Sequence, residues 1–550
     1  MANDLITISS PPAVAGERAF GGGLEGAERT SRETVSWAPS MLSPDQAINI
    51  VKPEADARSR DMVLNDGYSA GAVALHRDSI VGAQYRLNAR PDWRVIGASP
   101  EWAEEFSIAA ETRFNLAAES EDCYFDASGQ LTFTGMVRLI TGAYVYSGEV
   151  LATAEWIKDG RPFNTAIQLV SPDRLSNPDG VMDDRFLRRG VRKNLRGRPI
   201  GYYIRQSHPL EWYDNRADKW SYIPAAKPWG RKQVFHIHEP MQIDQTRGVA
   251  DMVAALKHAR MTKKFSEITL QNAVINASYA AAIESELPSA EVITAMGGGA
   301  DGYQKAIADY LNMLTSYLGG SENVHIDGAK IPHFFPGTKL NMKPMGTPGG
   351  VGSDFEASLL RRIAATLGVS YEELSRDLSK TNYSGWKAGA SITGRTMGAR
   401  KKMVSDRFAQ NVYNLWVEEE IAAGNLPLPP RRNRTDFYRP LMKDAYTRAR
   451  FVGSGRGQID ELKETQAAML RVKAGFSTYE EECALLGKDY REVFEQRARE
   501  ERLITSLNLP INLDASASGK QTGANALKSD KGEGDGTDDR ASDEEDTTDE

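Results

Sequence analysis

The chain has 550 residues, of which 41% are hydrophobic, so it can bury several cores and favours a soluble protein of three or four domains. No apolar run approaches the ~20 residues that span a bilayer, and the N-terminal MANDLITISSPPAVAG lacks the basic region of a secretory signal, so neither a membrane segment nor export is predicted. The formal net charge is −8, but residues 530–550 carry −9 and leave +1 for the other 529, which argues against a protein that wraps nucleic acid through a broad basic face.

Residues 1–57 are predicted to form a flexible arm, because they are rich in Gly, Ser, Pro and Ala and show no sustained hydrophobic period. From residue 58 a helix and an extended segment follow. Trp102, Phe106 and Phe114 then recur at the spacing of an amphipathic helix. A further helix and strands with the alternation of a half-buried sheet complete a mixed α/β region that runs to residue 245.

Two groups of side chains in this region have both a functional and an ordinary interpretation. Residues 185–198 hold seven basic side chains, which suit a nucleic-acid patch, but NLRGRPIGYYI is typical of a turn and a strand, so we favour a solvated hairpin. His236 and His238 are two apart on a predicted strand and share a face, as a metal pair would. No third ligand lies near them in sequence, so ordinary packing is favoured and no metal is predicted.

A helix of nearly thirty residues is predicted after residues 246–248. Its apolar side chains change face, from Met252 in the first half to Met261, Phe265 and Ile268 in the second. We therefore expect its two halves to pack against different neighbours.

An insert with its own helix and a Pro/Gly-rich extended region follows this long helix and ends at Ser353. Its glycine cluster at 349–352 is predicted to be a linker. A phosphate-binding loop is excluded there, since no Lys-Ser or Lys-Thr follows the glycines.

Two capping boxes mark the next helices. Ser353 with Glu356, and Ser370 with Glu373, have the spacing in which the Ser and the acid satisfy each other's free N–H groups. The first helix is expected to end at Gly368, a residue that tolerates the left-handed backbone of many helix ends.

The second of these helices is expected to carry Leu374 and Leu378 and to end near Ser379. The polar run SKTNYSG follows. A polar run between two rigid elements predicts a mobile loop, where functional residues often lie.

The C-terminal part is predicted to be helical. One long helix covers 391–424 and is stopped by Gly424, residues 439–458 are irregular, and three short helices follow, one with a capping box at Ser477 and Glu480. From residue 510 the chain is polar and then acidic, which predicts disorder.

Motifs of common enzyme sites are absent from the sequence. It contains no nucleophile elbow, HExxH, paired CxxC, Walker A or Rossmann glycine fingerprint, and its two cysteines, Cys123 and Cys483, predict reduced thiols. No enzyme activity and no cofactor are therefore predicted, although a hydrolase with a dispersed site stays open as an alternative.

Several segments together resemble the portal proteins of tailed bacteriophages of the lambda type, over about residues 58–505. The segments are ARSRDMVLNDGYSAGAV, QLVSPDRLS, GRPIGYYI, HIHEPMQIDQTRGV, IAATLGVSYEELSRDLSKTNYS and RGQIDELKE. The resemblance implies an α+β portal fold with an α/β wing, long stem helices, a small α/β clip and an α-helical crown. The implied parts are an arm (1–57), wing (58–245), first stem helix (246–276), clip (277–352), second stem helix (353–368), tunnel-loop region (369–390), wing helix (391–430), crown (431–509) and acidic tail (510–550).

The resemblance also implies a ring of subunits, typically a dodecamer, at one capsid vertex of the virion, assembled in the host cytoplasm. Implied partners are other copies of the chain, the terminase large subunit, a head-tail adaptor, and the major capsid and scaffold proteins. Double-stranded DNA would pass through the ring without sequence specificity during packaging and ejection, and no membrane is involved.

The tunnel loop implied by the resemblance lies around Ser379 to Lys387. Its candidate DNA-channel residues are Ser379, Lys380, Asn382 and Lys387, with the two lysines as transient phosphate contacts. Ordinary exposure on a helix surface is an equally good interpretation of both lysines. Another capsid or head-tail structural protein, or a nucleic-acid-binding module that uses residues 185–198, stays open as an alternative function.

Overall fold

The computed structural model describes residues 32, 35–278, 308, 311–312, 315, 324–326, 329–331, 351–430, 432–455 and 460–508. The first 31 residues of the predicted arm, most of the predicted clip and the acidic tail lie outside these ranges. The chain divides into two compact units, Met1–Arg456 and Gly457–Glu550. Helices and sheets are both present, as predicted for an α+β protein. Within the described ranges, no helix is both long and apolar enough to cross a membrane.

Among the described residues, helices are the commonest regular structure in both units. The helices of the first unit are α1 (Pro44–Asn49), α2 (Lys52–Asn65), α3 (Gly67–Ile80), α4 (Trp93–Ile96), α5 (Pro100–Ala118), α6 (Phe133–Ser147), α7 (Met252–Ser278), α8 (Val351–Leu367), α9 (Tyr371–Ser375), α10 (Tyr383–Arg400), α11 (Asp406–Ala423) and α12 (Met442–Tyr446). Those of the second unit are α13 (Glu461–Lys473), α14 (Tyr479–Leu485) and α15 (Tyr490–Ser506).

The strands form small antiparallel sheets in the first unit. They are β1 (Arg86–Ala89), β2 (Glu149–Trp156), β3 (Thr165–Val170), β4 (Leu187–Arg188), β5 (Val191–Lys193), β6 (Pro199–Arg205), β7 (Trp220–Pro224), β8 (Val234–His238), β9 (Val324–Ile326), β10 (Ala329–Ile331) and β11 (Ala449–Val452). The strand orders are β3-β2-β8 and β4-β5-β6-β7, and the pairs β1-β11 and β9-β10 stand by themselves. The pair β9-β10 lies within the predicted clip, of which few other residues are described.

The first helix of the described residues begins at Pro44, inside the segment predicted as an arm. Ser43 and Gln46 form a capping box, and the buried Asp45 accepts hydrogen bonds from the N–H (2.8 Å) and the hydroxyl (2.6 Å) of Thr246. Residues 44–57 therefore belong to the folded unit. The arm prediction is wrong for these residues, because it relied on the Gly, Ser and Pro content of the segment and not on the short capping signal of Ser43 and Gln46.

The main core is built from aromatic side chains of α5, α6 and α11. The Phe114 ring lies 4.8 Å from Phe125 and 5.2 Å from both Phe133 and Trp416, and it meets the last two edge to face. All four side chains are at most 1% exposed. Burying one such side chain contributes roughly 1.5–3 kcal/mol, so this cluster holds the helices together.

Residues 439–458, predicted to be irregular, contain α12 and β11. Strand β11 pairs antiparallel with β1, with Arg86 opposite Val452 and Ala89 opposite Ala449. The prediction is wrong because β11 forms by pairing with β1, which lies far away in the sequence. A short strand of this kind is defined by its pairing, which a local pattern does not record.

One helical run covers α10 and α11, joined by a π-helical turn at Lys401–Ser405. It begins at Tyr383 and not at residue 391, so part of the predicted loop is helical. Four glycines between residues 385 and 398 interrupt the apolar period by which helices are predicted. The predicted stop is confirmed, since α11 ends at Ala423 and Gly424 has the left-handed backbone with φ of 85°.

The two halves of α7 have different surroundings, as predicted. Met252 and Ala259 are buried in the main core, whereas the Phe265 ring packs 5.6 Å from the Phe355 ring of α8. The other two predicted apolar positions, Met261 and Ile268, are exposed by 47% and 44%. The second half of the helix thus leaves apolar surface open to solvent.

A buried ionic cluster fixes the chain just before α7. Glu149, at the start of β2, accepts hydrogen bonds from the Arg247 guanidinium and from the Gly248 N–H (2.9 Å), and the Lys52 Nζ lies 3.4 Å away. Arg247 also donates to backbone carbonyls, at 2.8 Å for Leu175. Burial acts to raise the pKa of Glu149, but the charges of Arg247 and Lys52 outweigh it and hold that pKa well below its usual range.

The described part of the second unit, residues 460–508, contains three capped helices. The predicted capping box at Ser477 and Glu480 is wrong by one residue, because Thr478 caps α14 by accepting from the Glu481 N–H. Arg471 of α13 makes a bidentate ion pair with Glu482 of α14, at 2.9 and 2.8 Å.

Candidate DNA-channel loop

The candidate loop covers residues 376–382, between α9 and α10. It starts and ends earlier in the sequence than predicted, because α9 ends at Ser375 and α10 begins at Tyr383. Leu378, predicted on the helix, lies in the loop and is 55% exposed. An apolar residue at helical spacing does not extend a helix that has no core to face at that position.

A compact turn separates α8 from α9, the short helix that leads into the loop. Helix α8 ends at Leu367, and Gly368 has a φ of +69°, as predicted. The predicted capping box of Ser370 and Glu373 is confirmed, whereas Ser353 lies within α8, which begins at Val351 and not at a Ser353 cap.

Helix α9 is anchored on α10, and this contact holds the base of the loop. The Ser370 N–H donates to the Thr393 hydroxyl at 3.1 Å, and that hydroxyl donates to the Glu373 carboxylate at 2.5 Å. Leu374 is buried beside them. The loop therefore projects from a fixed base.

The loop itself is shaped by local hydrogen bonds. Arg376 has a left-handed backbone at the end of α9, the Ser379 N–H donates to Asp377 at 3.0 Å, and Asn382 caps α10 by accepting from the Gly385 N–H at 2.7 Å. Hydrogen bonding from Ser379 lowers the pKa of Asp377. Ser379 and Asn382 thus have structural roles in the turn.

Lys380 is the predicted cation that lies at the exposed end of the loop. Its Nζ is 3.6 Å from a carboxylate oxygen of Asp354 in α8, and the two side chains are 79% and 77% exposed. Exposed ion pairs contribute roughly 0–1 kcal/mol, so Lys380 can exchange Asp354 for another anion at little cost.

Lys387 lies on α10 and not in the loop. Its ammonium group is 5.7 Å from the centre of the Tyr383 ring, one helical turn earlier. The two predicted lysines therefore lie on different elements.

Arg376 is an exposed cation of the loop that the sequence interpretation does not single out. Its position at the end of α9 makes it a third basic side chain beside Lys380 and Lys387. The sequence signal for Arg376 is its position directly after the short helix, because the residue at a helix end is often exposed.

The two histidines do not form a metal site. His236 lies 3.0 Å from a Glu149 oxygen, and the His238 ring centre lies 4.7 Å from that of His236. Burial, aided by nearby positive charge, lowers the pKa of His238 to about 3. In the described part of the chain no group of three or more His, Cys, Asp or Glu side chains could hold a metal ion.

The basic residues 185–198 form a hairpin, as predicted. Strands β5 and β6 pair across a turn at Asn194–Gly197, and Lys193 and Arg188 lie 3.6 and 3.9 Å from the buried Asp45. Part of the cluster is therefore engaged inside the subunit, whereas Arg196 and Arg198 at the turn are exposed.

Comparisons with known proteins cover most of the chain. Residues 30–401 match the family model of the phage portal protein, lambda family. The portal protein of Escherichia phage N15 is 38% identical over 500 residues, which are 90% of this chain and 92% of that protein. Portal protein B of Escherichia phage lambda is 35% identical over 508 residues, 92% and 94% of the two chains.

One solved structure with weak similarity is the neck of an empty GTA particle computed with C6 symmetry. Its TM-score is 0.35 at 14% identity, over 78% of this chain and 93% of that chain. The family assignment rests on the sequence relatives, which confirm the resemblance. The chain belongs to the lambda family of phage portal proteins, which are structural proteins and not enzymes.

Proposed function

We propose that copies of this chain form a closed ring, typically of twelve, at one capsid vertex, and that double-stranded DNA passes through its centre during packaging and ejection. Family membership over residues 30–401 supports this proposal. The ring would be assembled in the host cytoplasm and remain in the virion. Its partners would be the terminase large subunit, the head-tail adaptor, and the major capsid and scaffold proteins.

The parts implied by the family can be assigned to the elements described above. Helices α7 and α8 would be the stem, the mixed sheets and α11 the wing, β9-β10 part of the clip, and α13 to α15 the crown. The loop 376–382 would then be the tunnel loop, since it lies in the chain between the stem helix α8 and the wing helix α11.

The observation that carries the DNA-channel role is the weak, exposed pairing of Lys380 with Asp354. A channel that moves DNA must contact phosphates without retaining them, because each phosphate that a cation neutralises strengthens binding. A near-neutral body with a few exposed cations on a short loop meets this requirement. Arg376 and Lys387 would supply further transient contacts, with Ser379 and Asn382 shaping the loop.

The ring is tested by electron microscopy and native mass spectrometry of the purified protein, which count subunits and reveal a channel. For the loop, we expect Lys380→Glu with Lys387→Glu to leave rings intact but to change the length of packaged DNA or its retention. The physical reason is that two attractive phosphate contacts per subunit become repulsive.

Lys158→Glu is the matched control, because Lys158 is exposed just after β2, far from the loop in sequence. It should change neither ring assembly nor DNA retention. Normal packaged length and retention in the double variant would refute the tunnel-loop role, while the ring itself would stand.

A further inference from the structure

A cluster of large apolar side chains is exposed in the loop between β6 and β7. Leu210, Trp212 and Tyr213 are 87%, 83% and 77% exposed, and the rings of the last two are 4.0 Å apart. We call residues 208–214 the aromatic knob. Exposed apolar clusters of this kind mark protein contacts, and Trp and Tyr are enriched among the residues that dominate binding energy.

The aromatic knob is held in shape before any partner binds. His208 lies 3.2 Å from Asp173, the Ser207 hydroxyl donates to Glu211, and Asp214 makes a bidentate ion pair with Arg216 at 2.9 and 2.7 Å. A preformed loop loses little conformational entropy on binding. The knob therefore has the rigidity of a docking element.

A complementary surface lies at the turn between β5 and β6. Leu195 is 74% exposed, and Arg196 and Arg198 are exposed beside it. The Asn194 side-chain oxygen fixes this turn by accepting hydrogen bonds from the backbone N–H groups of both arginines, at 3.0 and 2.9 Å. We call residues 195–198 the arginine turn. Among the described residues, neither guanidinium has an ion-pair partner within 4.0 Å.

The two surfaces are chemically matched. Guanidinium groups stack on Trp and Tyr faces, and Leu195 offers apolar contact to Leu210. The acidic Glu211 lies within the knob and Asp218 lies just after it, opposite in sign to the arginines. A nucleic acid would use the arginines but would leave the aromatic knob uncovered, so a protein partner accounts for both features.

The geometry shows why one subunit cannot satisfy both surfaces itself. The arginine turn precedes β6 and the aromatic knob follows it, so the two lie at opposite ends of a seven-residue strand, ~20 Å apart. Complementary patches at separate places on one molecule make a head-to-tail contact, which closes into a ring when the rotation between copies allows.

We propose that the aromatic knob of one subunit packs against the arginine turn of the next, so that the β4-β5-β6-β7 sheet joins neighbouring copies head to tail. This inference rests on the proposed ring and assigns part of its contact surface. The partner is a second copy of this chain.

The test uses two variants of the full chain. The knob variant is Trp212→Ser with Tyr213→Ser, and the turn variant is Arg196→Glu with Arg198→Glu. Both change exposed side chains, and circular dichroism and thermal unfolding check that the subunits stay folded. We expect the fraction of protein in rings, counted by native mass spectrometry, to fall about tenfold or more in each, since each loses an interface anchor.

Mixing the two variants gives the sharper result. A knob variant keeps its arginine turn and a turn variant keeps its aromatic knob, so one intact contact joins one copy of each. We expect mixed dimers and no rings, because the remaining surface of each copy is defective. The controls are Leu116→Ser, which removes an exposed apolar side chain of α5 (78% exposed), and Lys158→Glu, and both should form normal rings.

Rings in both variants at the wild-type level would overturn the proposal while leaving the ring function in place. A wild-type chain without rings would instead refute the proposed function. Weaker DNA binding by the turn variant with normal rings would assign the arginines to nucleic acid and would also overturn the proposal.

Discussion

At the scale of single residues, Glu149 neutralises the buried Arg247 guanidinium just before α7. It is fully buried and faces Arg247, Lys52 and His236. Glu149→Gln keeps the shape but removes the carboxylate that faces Arg247 and leaves Lys52 with Asp56 as its acidic partner. Because breaking a buried pair costs about 3–5 kcal/mol, we expect the free energy of unfolding of the unassembled subunit to fall by about that amount.

Denaturant unfolding measures this change. Glu105→Gln is the control, because Glu105 is exposed on α5 and should change the free energy of unfolding by less than ~0.5 kcal/mol. Equal, small effects of both substitutions would contradict the balancing role of Glu149.

Asp56 in the same cluster makes stability depend on pH. Burial raises its pKa from 3.8 to about 6, although the Lys52 ammonium at 2.9 Å opposes the shift. A carboxyl whose pKa is higher in the folded state binds its proton more tightly there. Its contribution to stability is therefore most favourable below pH 4 and is lost as the pH rises through about 6.

We accordingly expect the stability of the wild type relative to Asp56→Asn to increase by about 1 kcal/mol when the pH falls from 7 to 5. Groups common to both proteins, such as His76 and His238, cancel in this difference. Thermal unfolding at a series of pH values measures it, and a difference that is flat between pH 5 and 7 would show that Asp56 is ionised in that range.

At the scale of elements, Gly148 after α6 and Gly248 before α7 lie in close approach, and a Cβ at Gly248 would lie 2.1 Å from the Gly148 carbonyl oxygen. Gly148 has a φ of +71°, and a Cβ there would lie 2.1 Å from the Val249 carbonyl carbon. We expect Gly148→Ala to destabilise the subunit by about 2–5 kcal/mol, from a left-handed alanine and from overpacking.

Gly160→Ala separates the two effects, because Gly160 has a φ of +92° but no atom within 4 Å of an added Cβ. We expect Gly160→Ala to lower the free energy of unfolding by only about 1–2 kcal/mol, which is the cost of the left-handed backbone alone. Denaturant unfolding measures the loss of stability in Gly148→Ala and in Gly160→Ala. Equal losses in the two variants would mean that the junction at Gly148 accommodates a side chain.

The elements also show how far local sequence predicts this fold. The end of α8 at Gly368 and the capping box at Ser370 are predictable, since their signals lie within a few residues. Strand β11 is not predictable, because it depends on a distant partner strand. The start of α10 at Tyr383 is not predictable either, because this part of the helix is rich in glycine and packs against α9. In the candidate loop, the cation Lys380 is predictable but its partner Asp354 is not.

At the scale of the whole molecule, charge is divided between a near-neutral body and an acidic C-terminal segment. Residues 530–550 carry −9, and the other 529 carry +1. A body without excess positive charge suits a surface past which DNA moves, and a local negative charge repels phosphates over a distance of about one Debye length. In the proposed channel, the exposed cations of loop 376–382 would act by position and not through a general basic field.

Removal of this acidic charge should therefore strengthen nonspecific DNA binding by the unassembled subunit. We expect a chain ending at residue 529 to bind double-stranded DNA a few fold more tightly at ~10 mM salt, where the Debye length is about 30 Å, and equally at ~150 mM, where it is about 8 Å. A full-length chain with the eleven acidic residues of 530–550 changed to Asn and Gln is the matched control for length. If the effect is one of charge, the control matches the truncated chain in fluorescence-anisotropy titrations. Unchanged affinity at low salt in both would show that the acidic segment does not act on DNA.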